Sequence, residues 1–111
     1  FYRATFLASE RVEEQRAALG EEGFRRAPLQ QIARRFHEDL RSQQLMRDDF
    51  TADTLVKQVY AGHHTAFRDW AYRLISLEAF RIRSLEGFYV ALAADATAAF
   101  RDRLLQEFRR L

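Results

Sequence analysis

The sequence predicts an all-α domain, an antiparallel helical bundle of about five to six helices. Three observations carry this reading. Apolar residues recur at spacings of three and four along most of the chain. No alternating run of about four to eight residues rich in Val, Ile or Thr reads as a strand. Breakers are few, with one proline and four glycines in 111 residues.

The first helix runs from Phe1 to about Leu19, with Phe1, Phe6, Leu7, Val12 and Leu19 as its apolar residues. Ser9 offers a second start, so the stretch reads as one helix or as a helix end plus a short helix. Gly20 and Gly23 bracket the stop, because glycine enters the left-handed conformation that closes helices. Pro28 opens the second helix, where its missing N–H costs nothing. Leu29, Ile32, Phe36 and Leu40 follow at spacings of 3, 4 and 4 and define a helix from Pro28 to about Leu45. Arg34, Arg35, Glu38 and Arg41 occupy its other face.

Arg47-Asp48-Asp49 is a polar connection. Thr51 then caps the third helix, Asp53 suits its positive end, and Phe50 and Leu55 have hydrophobic-staple spacing. Val59, Tyr60, Phe67, Trp70 and Leu74 carry that helix to residue 74. Ser76 caps the fourth helix, with Glu78 in its first turn and Ile75 and Phe80 spaced as a staple. The sharp Ile75-Ser76 corner predicts an αα-hairpin. The fourth helix, Leu77 to at least Ala94, carries a large stripe of Leu85, Phe88, Tyr89 and Leu92. Beside it runs a small stripe of Ser84, Gly87, Ala91, Ala94 and Ala98. Asp95-Ala96-Thr97 kinks or breaks the chain before a terminal helix bearing Phe100, Leu104, Phe108 and Leu111.

Composition bounds the function. The length suits one domain, 1–111. Without cysteine there is no disulfide framework, thiolate zinc site or cysteine nucleophile. At 14% the aromatic content is too high for a disordered chain. There is no run of about 18 apolar residues that would span a membrane, and no secretory signal opens the chain. The start at Phe1 suggests a fragment with sequence upstream. The charge of +2, from 18 basic and 16 acidic residues, alternates in sign as on solvated helix faces. Seventeen of the basic residues are arginine, read first as coding bias.

Catalysis finds no support: no nucleophile elbow surrounds a serine, and no Gly-rich phosphate loop exists. We expect no enzyme activity and no cofactor. The histidines His37, His63 and His64 lack the Glu-x-x-His spacing of a di-metal bundle, so no metal site is expected. No basic helix follows a tight turn, so this chain is not expected to touch DNA itself.

Two packing signals remain. Gly87 inside a helix costs about 1 kcal/mol against alanine, which needs a reason. Small side chains let helix axes approach closely. The small stripe is therefore either close packing within one chain or the face through which the 51–74 and 77–95 hairpin pairs with a second copy. Tyr60, His64 and Phe67 share one face, and Phe36 and Leu40 are placed to face them. A mostly apolar cavity with a few polar tips is how small-molecule sites are built. Plain core is the alternative for that aromatic face.

The runs Phe50-Thr51-Ala52-Asp53-Thr54-Leu55, Trp70-Ala71-Tyr72-Arg73-Leu74-Ile75-Ser76-Leu77-Glu78-Ala79-Phe80 and Gly87-Phe88-Tyr89-Val90-Ala91-Leu92-Ala93 resemble the C-terminal half of tetracycline-repressor (TetR) family regulators. The Phe36-His37-Glu38-Asp39-Leu40 and Met46-Arg47-Asp48-Asp49-Phe50 stretches look like the segment preceding that helix. The resemblance implies an effector-binding and dimerisation domain of a bacterial, cytoplasmic transcription regulator, dimerising through a four-helix bundle. The family's N-terminal helix-turn-helix, which would carry all DNA contacts, is absent from this chain.

The expected effector is a small hydrophobic or aromatic molecule held by Phe6, Phe24, Phe36, Tyr60, His64 and Phe67. The expected homodimer interface is Trp70, Leu77, Ser84, Gly87, Phe88, Ala91 and Ala94. The alternatives are a ligand-free helical dimerisation or interaction module, and a haem or metal sensor using His63 or His64.

Overall fold

The computed structural model describes residues 2–20, 22 and 28–111, without the side chains of Tyr2, Arg16 and Leu29. The expectations for Phe1, Gly23 and Phe24 lie outside the described residues. Among the described residues there are five helices: α1 (Tyr2–Ala17), α2 (Pro28–Ser42), α3 (Ala52–Ala71), α4 (Leu77–Ala93) and α5 (Ala98–Arg109). The only pairing of strand type described is a single antiparallel bridge between Met46 and Ala96. The fold is all-α.

The starts of α3 and α4 follow the residues that predict them. Thr51 Oγ1 accepts from the Thr54 N–H at 3.2 Å, and Ser76 Oγ accepts from the Ala79 N–H at 3.1 Å. Each satisfies one of the N–H groups that a helix leaves without an internal partner. Glu78 receives Arg81 in the first turn of α4, and that hydrogen bond holds its carboxyl below the ordinary value.

Two helix ends fall short of expectation. Helix α2 stops at Ser42 rather than near Leu45, and α3 stops at Ala71 rather than Leu74. Both close with the same device. The Leu45 N–H reaches the Leu40 carbonyl and the Gln44 N–H reaches that of Arg41. Likewise Leu74 donates to Asp69 and Arg73 donates to Trp70. These are Schellman pairings, which need a left-handed residue one position past the helix cap. Gln44 and Arg73 supply it, with φ of 61° each. No glycine marks either end, so the sequence hides both. Gly20, three residues past the end of α1, adopts the left-handed conformation expected of it, with φ of 66°.

Packing is uneven. The helices α3 and α4 form the main pair, α5 rests on α4, and α1 and α2 both rest on α3. The radius of gyration is 15.1 Å, against about 13 Å for a compact chain of this length. The thinnest dimension is 16 Å, so no more than two helix layers overlap.

The core lies at the end where α2, α3, α4 and α5 meet. Leu40, Met46, Leu55, Leu92, Ala96, Phe100 and Leu104 form one buried cluster, with Phe88 and Tyr89 against it. The stripe expected to bury α2 is corrected by the structure: Ile32 is 66% exposed and Phe36 42% exposed, while Leu40 enters the core. Phe6 of α1 is buried, while Leu7 and Val12 of the same helix and Leu19 beyond it are exposed. Helix α2 rests on α3 with a side rotated from the apolar stripe. Gln30 and His37 lie inside instead.

The α4–α5 corner is pinned by Asp95, whose side chain is fully buried. Its carboxylate accepts from the Asp49 N–H at 2.8 Å and the Phe50 N–H at 3.4 Å. Its carbonyl accepts from the Arg47 N–H at 2.7 Å, and the Leu45 carbonyl accepts from the Thr97 N–H at 2.9 Å. The Arg47 guanidinium donates to the Ala94 carbonyl at 2.9 Å. One buried side chain therefore ties the α2–α3 connection to the α4–α5 corner. Asp95→Ala strands two backbone donors and leaves a void. The expected loss is about 2–4 kcal/mol, read as a lowered urea midpoint at neutral pH. A change within about 0.5 kcal/mol, the range of an ordinary surface substitution, contradicts the pinning role.

Candidate functional site

Two faces of α3 carry the candidate chemistry. The first faces outward, along the α3–α4 hairpin. Gly62 and Gly87 oppose one another, and a Cβ on either would lie 3.7–3.8 Å from the other's Cα. The two backbones are therefore in near contact, which only small residues permit. The small stripe thus serves close packing inside one chain at Gly87.

It also leaves an open groove of about 580 Å³. Ala61, Gly62, Thr65 and Ala66 of α3 form one wall, and Gly87, Val90, Ala91 and Ala94 form the other. At one end the Arg83 guanidinium holds Asp69 at 3.3 Å. A second groove of about 300 Å³ adjoins it, sharing Val90 and Ala94 and extending over Leu104, Leu105 and Phe108. Val90, on the shared wall, is 59% exposed.

The seven interface candidates divide by orientation. Gly87, Ala91 and Ala94 line the groove. Leu77 is exposed at the hairpin turn. Ser84 points between the helices, its Oγ 3.4 Å from His63 Nδ1. Phe88 packs on the protein's own core, 5.4 Å from Phe36 by ring centroid. Trp70 stacks on Phe80 at 5.7 Å and 17°, joining the two arms of the hairpin.

The second face of α3 is aromatic and meets α1. Phe6 lies 5.7 Å from His64, 5.8 Å from Phe67 and 5.7 Å from Tyr72. Tyr60 stacks on His64 at 5.8 Å. The structure thus brings four effector candidates together: Phe6, Tyr60, His64 and Phe67. Phe36 belongs to a different contact, against Phe88. Phe24 is outside the described residues. None of the five described candidates lines either groove of the hairpin face.

Polar groups border the aromatic face. His64 Nε2 lies 3.1 Å from Glu10 Oε1. Arg34 pairs with Asp53, whose position falls on the same heptad stripe of α3 as Tyr60 and Phe67. Gln30 and His37 are 1% and 4% exposed, and among the described residues none of their side-chain polar atoms has a hydrogen-bond partner. An unpaired buried polar group costs about 1–3 kcal/mol, so these two are expensive. Glu10, Gln30 and Arg34 were missed as site residues by sequence reasoning. The signal lay in the spacing of Gln30, Arg34 and His37 on one face, masked by the apolar stripe beside it. Among the described residues no group of three His, Cys, Asp or Glu side chains gathers as a metal ion would need.

His63 sits between α3 and α4, against Phe67 and Phe80. Burial first, and the neighbouring His64 second, push its imidazole below the ordinary value of 6.5. The folded protein therefore binds fewer protons here than the unfolded chain. This contribution to stability is complete above the unfolded value and is lost as pH falls through the folded one. We expect the urea midpoint to drop between neutral pH and about pH 5, with His63→Gln removing part of that slope. An unchanged slope in the variant contradicts the assignment.

No protein-family model, curated protein or solved structure matches the chain.

Proposed function

We propose that this chain is the effector-binding and dimerisation domain of a bacterial transcription regulator, of the type its residue pattern resembles. Its DNA contacts would come from a separate helix-turn-helix. The observation that carries the reading is the open groove along the α3–α4 hairpin. A hairpin with one apolar face unfilled has the form of half a four-helix bundle. A two-fold pairing places the same patch on both copies, so a ridge beside a groove can complement itself. Exposed Val90 is that ridge, and the strip of Gly87, Ala91 and Ala94 is that groove.

The aromatic face under α1 supports the effector half of the reading. Phe6, Tyr60, His64 and Phe67 form an aromatic cluster bordered by polar groups, a chemistry suited to a small aromatic molecule. It lies on the side of α3 away from the hairpin groove, so one helix serves both faces. Such a ligand switches the regulator only if it binds two arrangements of the dimer unequally. Helix α3 gives it mechanical contact with the interface.

The interface test uses variants that a single chain tolerates. Val90 is exposed, so Val90→Glu should leave the helical circular dichroism unchanged while placing two charges in the pairing face. We expect it to elute as a monomer from a sizing column where the unaltered chain elutes as a dimer. Ala94→Glu, at an exposed position that lines both grooves, should do the same. A dimer in both variants contradicts the pairing face. For the effector half, Trp70 is the only tryptophan and touches Phe67 at 5.7 Å. A screen of small aromatic compounds should shift its emission and raise the melting temperature together, since a ligand of the folded state stabilises it by mass action.

A further inference from the structure

Helix α2 buries polar side chains while exposing apolar ones. Gln30, Arg34 and His37 follow at spacings of 4 and 3, so they share one face. Gln30 is 1% exposed and His37 4%, whereas Ile32, on the opposite side, is 66% exposed. Five atoms on this face have no hydrogen-bond partner among the described residues: both amide atoms of Gln30, both ring nitrogens of His37, and Arg34 Nε. Each such atom works against folding. Leu or Met at Gln30 would remove the cost, yet the chain keeps the amide inside. Costs of this kind collect where a protein holds polar groups for a ligand.

The site is placed by the Arg34–Asp53 pair. Asp53, Tyr60 and Phe67 repeat at heptad spacing along α3, so the polar face of α2 abuts the foot of the aromatic stripe. The charged pair at this face, Arg34 with Asp53, is already matched. An added carboxylate would be a buried charge without its own counter-ion, which is costly. The unmatched groups are of mixed type. Gln30 offers a donor and an acceptor side by side, Arg34 Nε offers a donor, and a neutral imidazole offers one of each.

Building on the effector-binding reading above, we infer that Gln30, Arg34 and His37 form the polar wall of the effector site, for an uncharged planar ligand with adjacent donor and acceptor. Amides, lactams and ring N–H groups beside a carbonyl have that edge. Gln30 pairs with it in a two-bond ring, Arg34 Nε adds a donor to the ligand carbonyl, and His37 meets a second polar group about two helical turns along the axis. The apolar body of the ligand rests on the stripe of Tyr60 and Phe67.

The experiment has two readouts on the full chain. The first needs no ligand. Gln30→Met and His37→Leu keep the side-chain volume and remove the unpaired atoms. We expect melting temperatures equal to or several degrees above that of the unaltered protein. Melting temperatures several degrees lower in both would mean that these atoms are satisfied in the ligand-free fold, and would overturn the inference. The second uses 2-quinolone and benzamide as uncharged probes, with benzoate as the charged control. We expect a concentration-dependent rise in melting temperature with an uncharged probe, lost in Gln30→Met. A rise with benzoate alone, or with none of the three, overturns the assigned ligand class. Sizing of the same samples reads the dimer separately, so a failed interface and a failed polar wall are told apart.

Discussion

The fold depends on one buried carboxylate. Asp95 sits at the corner between α4 and α5, yet the groups it satisfies belong to the connection between α2 and α3. Segments about 45 residues apart in sequence are held as if in a short sheet, with the Met46–Ala96 bridge at its centre. This fixes where α3 begins relative to where α4 ends. The Gly62–Gly87 contact then sets how closely the two helices run between those ends. The backbone contact and the buried carboxylate act at different points along the same pair, and together they define the hairpin.

From that hairpin follow both faces of α3. Close approach of the backbones sinks Gly62 and Gly87 below their neighbours, which turns one surface into a trough. The other surface keeps its large aromatic residues and receives α1. In the proposed reading, this helix, with a trough on one side and an aromatic platform on the other, passes a displacement from ligand to partner. The expanded radius of gyration and the thin third dimension agree with a chain whose faces are not all filled by itself.

The helix starts were legible because they rest on local chemistry. Thr51, Ser76 and Pro28 each act within one turn, and the structure uses all three where expected. The helix ends were not, because Gln44 and Arg73 adopt a conformation usually announced by glycine. The grouping of Phe6, Tyr60, His64 and Phe67 was legible in part, since three of the four share the spacing of one helix face. Phe36 was misplaced because periodicity gives the angle of a stripe and not its partner. Tertiary packing rotated α2, exposed that stripe, and buried Gln30 and His37. Asp95 was read as part of a break between helices, which it is. Its role as an anchor depends on a contact 46 residues away in sequence, which no local pattern records.

The central claim is that the open face of the hairpin is filled by a second copy of the chain. Sedimentation equilibrium of the unaltered protein at neutral pH, over a range of concentrations, tests it most directly. The account predicts a single species of twice the 13.1 kDa chain mass, dissociating only on dilution. A mass of one chain at every concentration, with the helices intact by circular dichroism, would contradict it.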